Sequence, residues 1–239
     1  MGEGVLITGV SSGLGQALAG LYLERGCTVY GLSRREPAEL NQHGDFHFAS
    51  VDLKDFTTTA ESLDGLIAGA NIELVILNAG ILGAFGDMTS TALEVMQEVM
   101  DVNLWANKVI LDSLFQQGVA LRQVVAISSG ASVSGARGWN AYGMSKAALN
   151  MMMKLYAADR PETHFCALAP GLVDSSMQDY LCNLANDEAF PVLKKLQESK
   201  NTIYMPSPDE AAKLVADCID KLAAVVKSGA YTDVREFTK

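Results

Sequence analysis

A short apolar run that breaks into a glycine-spaced turn and then into a helical pattern constrains this chain more than any other feature. Gly4-Val5-Leu6-Ile7-Thr8 reads as a buried strand, and Leu14, Ala17, Leu18 and Leu21 follow at helical spacing until Gly26. Between them lies Thr8-Gly9-Val10-Ser11-Ser12-Gly13-Leu14-Gly15. Gly9 permits a tight turn, Gly13 lets backbone approach a ligand, and Gly15 lets the helix pack closely on its sheet. The helix then starts with unpaired N–H groups and the positive end of its dipole, which together favour a phosphate.

The rest of the chain repeats the alternation. Strands are expected at 28–32, 46–51, 74–77, 123–127, 165–169 and 230–234. Helices are expected at 56–70, at 91–117 with an irregularity near Asn103, at 142–159 closed by Pro161, and at 208–226. Residues 172–205 show no clear period. Strands alternating with helices imply right-handed crossovers and a parallel sheet covered on both faces. The expectation is an α/β fold: one Rossmann-like, doubly wound domain over residues 1–239, with about seven parallel strands.

Composition narrows the function classes. Eighteen basic against 28 acidic residues give a net charge of −10, which argues against nucleic acid and against an anionic membrane surface. No apolar run reaches the ~18–20 residues that cross a bilayer, and no basic residues precede the first apolar stretch as in a secretory signal. Cys27, Cys166, Cys182 and Cys218 are far apart, which reads as reduced thiols in a cytoplasmic protein. His43, His47 and His164 are isolated, so no metal is expected.

The spacing G-x-x-x-G-x-G, with Asp52, Asn78-Ala79-Gly80, Asn103, Ser129, Tyr142, Lys146 and Pro170-Gly171 in order behind it, resembles the short-chain dehydrogenase/reductase family along nearly the whole chain. The resemblance implies a catalytic tetrad of Asn103, Ser129, Tyr142 and Lys146; Ser129, 13 residues before Tyr142, has the family spacing where Ser128 does not. It implies a dinucleotide along Gly9, Ser11, Ser12, Gly13, Leu14 and Gly15, with adenine at Asp52 and Leu53. Asn78, Ala79, Gly80, Tyr142, Lys146, Pro170, Gly171, Val173 and Ser175 would hold its other end.

Residue chemistry supports these roles. Tyr142 and Lys146 are four apart on a helix and share a face. A free tyrosine, with pKa ~10, is a poor acid at neutral pH, and a neighbouring ammonium is expected to lower it. Tyr142 would protonate a carbonyl oxygen as hydride reaches carbon, while Ser129 donates to the same oxygen. The backbone carbonyl of Asn103 is expected to hold a water leading from Lys146 to solvent. After the second strand, Gly31-Leu32-Ser33-Arg34-Arg35 carries no acid until Glu36. Arg34, with Ser33 and Arg35, suits the 2′-phosphate of NADP(H) rather than a free ribose hydroxyl. Ser12 stands where many NADP-dependent relatives carry a base.

The C-terminal third resembles the sepiapterin reductase and bacterial benzil reductase branches, in Ala169-Pro170-Gly171-Leu172-Val173-Asp174-Ser175-Ser176-Met177-Gln178 and in Lys227-Ser228-Gly229-Ala230-Tyr231-Thr232-Asp233-Val234-Arg235-Glu236-Phe237. That resemblance makes Asp233 a candidate substrate anchor, beside Trp139 and Met177. Residues 172–205 are expected to form a lid, with Met177, Tyr180, Leu181, Leu184, Phe190 and Leu193 lining an apolar pocket. Met151-Met152-Met153 points in several directions at once, so one methionine faces the sheet and another an outer surface suited to a homodimer or homotetramer. The expected activity is NADPH-dependent reduction of a small ketone or vicinal diketone. The alternatives are an NADP-dependent secondary-alcohol dehydrogenase and a non-catalytic dinucleotide sensor.

Overall fold

The computed structural model describes residues 2–185 and 188–237. Its sheet is built from β1 Gly4–Thr8, β2 Thr28–Ser33, β3 Phe46–Ser50, β4 Ile72–Leu77, β5 Gln123–Ile127, β6 His164–Ala169 and β7 Ala230–Asp233. The seven strands lie in the order β3-β2-β1-β4-β5-β6-β7, every neighbouring pair parallel. Helices α1 Gly13–Glu24, α2 Phe56–Leu66, α3 Leu93–Met100, α4 Ala106–Gln116, α5 Ala131–Ser134, α6 Asn140–Asp159, α7 Ser176–Cys182, α8 Pro191–Ser199 and α9 Pro208–Val225 join or follow the strands. This is the doubly wound α/β architecture expected from the alternation.

Both faces of the sheet are covered. Val5 and Ile7 pack with Leu18 and Val215 on one face, and Leu6 packs with Leu63, Ile110 and Leu114 on the other. Strands buried on both sides read as unbroken apolar runs, which is why β1 and β5 were legible without alternation. Ser207 and Glu210 form a reciprocal capping box that starts α9, with Pro208 in its first turn.

One expectation gains detail and two change. The helix expected over 91–117 is interrupted: α3 stops at Met100, a π turn spans Asp101–Trp105, and α4 follows. The irregularity falls on Asn103, as the sequence suggested. The helix expected over 142–159 starts at Asn140 rather than Tyr142, with Asn140 at φ +22°. The Asn140 amide shares its hydrogens among the Ala84 and Gly86 carbonyls and the Thr91 hydroxyl, which holds this backbone in place. The segment 172–205 contains α7 and α8, helices too short to show a period.

The strand order places the site. The chain leaves β1 for β2 and β3 on one side, then returns to β4 on the other, so a crevice opens above the carboxyl ends of β1 and β4. The Thr8 hydroxyl accepts from the N–H groups of Asn78 and Ala79, each at 3.0 Å, and Asn78 Nδ2 donates to the Thr8 carbonyl at 3.0 Å. These bonds tie the two strand ends together at the mouth of the crevice.

Candidate active site

A cleft of about 1150 Å³ runs over these strand ends. The glycines explain its floor. Gly9 has φ +76°, and a Cβ there would stand 2.9 Å from Ala79 Cα. A Cβ on Gly15 would stand 2.3 Å from the Gly9 carbonyl oxygen, so only glycine lets α1 approach this closely. Gly13 differs: at φ +57°, its Cβ would meet only Ser175 Cβ, at 3.9 Å. The space over Gly13 is open, which fits a ligand phosphate at the start of α1. Ser11, Ser12, Leu14, Asn78, Ala79, Pro170, Gly171, Val173 and Ser175 line the same cleft. Its far end is lined by Ser33, Arg34, Arg35, Asp52 and Leu53. Both arginines are exposed, the Ser33 hydroxyl donates to the Arg35 carbonyl at 2.7 Å, and Asp52 accepts from the Lys54 N–H at 3.1 Å. A glycine-rich cradle at one end and guanidinium groups at the other fit a dinucleotide.

Ser129, Tyr142 and Lys146 meet in the middle. The Ser129 hydroxyl accepts from the Ala131 N–H at 3.1 Å and faces the Tyr142 hydroxyl. Lys146 is 3% exposed; its Nζ donates to the Ile127 carbonyl at 2.8 Å and lies 5.9 Å from the centre of the Tyr142 ring. Burial pushes Lys146 down to about 8. The expected lowering of the Tyr142 pKa is not what the protein alone shows: burial raises it, and the Ser129 hydrogen bond opposes that rise.

Asn103 is fully buried behind the cleft wall. Its side chain is spent on the backbone after β4: Oδ1 accepts from the Ile81 N–H at 2.8 Å, and Nδ2 donates to the Ile81 carbonyl and the Ser145 hydroxyl, each at 2.9 Å. Its carbonyl, expected to be open to a water, accepts from Asn107 Nδ2 at 2.8 Å. Gly80 makes this approach possible, since a Cβ there would lie 3.2 Å from Asn103 Oδ1 and 3.3 Å from Lys146 Nζ.

The remaining wall is apolar and aromatic. Trp139 and Met177 line it, with Leu181, Val192 and Leu196. Phe85 packs edge-on to Trp139 at 5.5 Å and to Phe190 at 5.3 Å. Of the residues expected to line the lid pocket, Tyr180 is 45% exposed, and Leu193 is buried in the cluster that joins α7 to α8. Asp233 lines the cleft, but not as a lone anchor: its two oxygens accept from the Arg235 guanidinium at 2.7 and 2.6 Å. Sequence reasoning missed Arg235, although its spacing two residues beyond Asp233 was the available signal. It also missed Arg137, which pairs with Asp87 and lies over the Phe190 ring at 5.1 Å. Met152 and Met153 are buried in the core, while Met151 is exposed. Among the described residues no group of His, Cys, Asp and Glu could hold a metal, and no helix is long and apolar enough to cross a membrane.

Residues 3–184 match the short chain dehydrogenase family. The chain is 31% identical to a benzil reductase ((S)-benzoin forming) of Bacillus cereus, over 90% of this chain and 93% of that one. The crystal structure of the KRED1-Pglu enzyme superposes with a TM-score of 0.86 at 23% identity, covering 96% of this chain and 100% of that one. A short chain dehydrogenase of Shigella flexneri, complexed with NADP, superposes with a TM-score of 0.79 at 22% identity, over 98% and 97% of the two chains.

Proposed function

Because this chain belongs to the short-chain dehydrogenase family of nicotinamide-dependent oxidoreductases, we propose that it is an NADPH-dependent reductase of small ketones or vicinal diketones, with Tyr142 as general acid. The observation that carries this reading is the Ser129–Tyr142 hydroxyl pair in mid-cleft, with buried Lys146 beside it. A carbonyl oxygen seated on that pair would meet two O–H donors. The Ser129 oxygen accepts from the Ala131 N–H, and its single proton, which faces Tyr142, would turn to the substrate oxygen. A buried phenol with a raised pKa stays protonated at neutral pH, the form needed to donate. The Lys146 ammonium then favours the phenolate that donation leaves behind. A bound nicotinamide supplies the hydride. Asn103 acts one layer back, holding the Ile81 backbone and, through Ser145, the start of the catalytic helix.

The choice of NADPH rests on Arg34, Arg35 and Ser33 at the adenine end, without a competing acid before Glu36, and the Shigella neighbour holds NADP. The choice of substrate rests on the Trp139 wall with Phe85 and Phe190 behind it, and on the similarity to benzil reductases. Residues 172–205 would act as the lid over this wall, within one catalytic domain. Exposed Met144, Met151 and Leu155 on one helix support pairing of copies as a homodimer or homotetramer. The test is NADPH consumption by purified protein against benzil, other vicinal diketones, sepiapterin and simple ketones. Turnover of the diketones is expected; silence across the panel would refute the substrate class.

A further inference from the structure

The turn that carries Ser129 is clamped from behind by a side chain outside the cleft. Asn150 lies on α6 one turn beyond Lys146 and two beyond Tyr142, on the same face of the helix. The Ser128 hydroxyl donates to Asn150 Oδ1 at 2.5 Å, and Asn150 Nδ2 donates to the Ser132 hydroxyl at 2.9 Å. The Ser132 hydroxyl in turn donates to the Ser129 carbonyl at 2.6 Å. Proton accounting gives this chain one direction. Ser132 has a single hydrogen and spends it on Ser129, so it must accept from Asn150. The amide therefore turns its NH₂ to Ser132 and its oxygen to Ser128. One carboxamide thus spans both flanks of the turn, and Ser129 lies between them.

We propose that Asn150 is a positioning residue: it fixes the 128–132 turn to the helix bearing Tyr142 and Lys146, and so sets the Ser129 hydroxyl against that of Tyr142. The inference rests on the reductase reading above. An asparagine is required rather than any polar residue of its size, because a carboxylate accepts and cannot donate. In Asn150→Asp the Ser132 hydrogen turns to the carboxylate, and the Ser129 carbonyl loses that partner.

The test compares Asn150→Asp, Asn150→Ala, Ser129→Ala and the double variant Asn150→Asp/Ser129→Ala. Removing a hydroxyl that stabilises the developing oxyanion typically costs ~100-fold in kcat, and displacing it should cost about tenfold. Asn150→Asp is therefore expected to lower kcat on benzil about tenfold, with KM and the NADPH Kd changed less than about twofold. In the Ser129→Ala background the same substitution should change nothing further, since residues acting through one another are not additive. Amide hydrogen exchange over residues 128–134 gives a readout without turnover: both Asn150 variants should exchange faster there and not elsewhere. Additive losses in the double variant, or unchanged exchange in that segment, would overturn the assignment. A parent protein that reduces no carbonyl compound would refute the reductase reading instead, and the exchange result would still decide the clamp.

Discussion

Arg34→Ala tests cofactor selection most directly. A hydrogen bond to a charged group contributes ~1.5–3 kcal/mol, and a guanidinium can make two to one phosphate. The structure argues for the lower part of that range. Arg34 is exposed at the end of the cleft, where water and salt screen it, and Arg35 stands beside it to take part of the load. A loss of about 1.5–2 kcal/mol is expected, which is roughly 10- to 30-fold in kcat/KM with NADPH. NADH has no 2′-phosphate and should change less than about twofold. The assay is the initial rate of reduced-nicotinamide loss at saturating diketone, with each cofactor varied in turn. The NADPH/NADH ratio should fall by nearly the whole NADPH loss, and the fall should shrink as salt is added. An equal loss with both cofactors would refute the 2′-phosphate assignment, because it would place Arg34 on a part of the dinucleotide that the two share.

Other outcomes follow from the same geometry. Tyr142→Phe should lose ~100- to 10,000-fold in kcat while NADPH still binds, measured by rates and cofactor fluorescence. Gly13→Ala has room for its Cβ, which meets only Ser175 Cβ at 3.9 Å, but is strained at φ +57°, so it should weaken NADPH binding and lower the Tm somewhat; Gly15→Ala meets the Gly9 carbonyl at 2.3 Å and should lower the Tm more. Burial holds the Lys146 pKa at about 8, below the ordinary lysine range, so this group lowers stability when charged. As pH rises from about 8 towards ~10.5 the unfolded chain keeps a proton that the folded one has lost, and the folded state gains in relative stability. Lys146→Met should therefore unfold at higher denaturant than the parent near pH ~7, with the gap narrowing above pH ~9, as read by urea titration.

The sequence by itself determined the layer order and the cleft's position. β1 runs straight into the Gly9–Gly15 turn and α1, and the central strands β4, β5 and β6 are buried on both faces, so local pattern and tertiary burial demand the same residues. Tyr142 and Lys146 could be paired because helical spacing alone puts them on one face. The irregularity near Asn103 was also anticipated, and it falls in the π turn at Asp101–Trp105. Only the tertiary structure decided what surrounds these groups. Burial, a property of the whole packed domain, raises the Tyr142 pKa against the opposing pull of the Ser129 hydroxyl and draws Lys146 down to about 8. The partners of Asn103, Asp233 and Asn150 are a matter of atomic reach: Asn107 donates to the Asn103 carbonyl, Arg235 donates to the Asp233 carboxylate, and Asn150 bridges two serines from a helix 18 to 22 residues away in the chain. Hydrogen-bond partnership depends on distances of about 3 Å between chemically ordinary side chains, and no periodicity in the sequence encodes it.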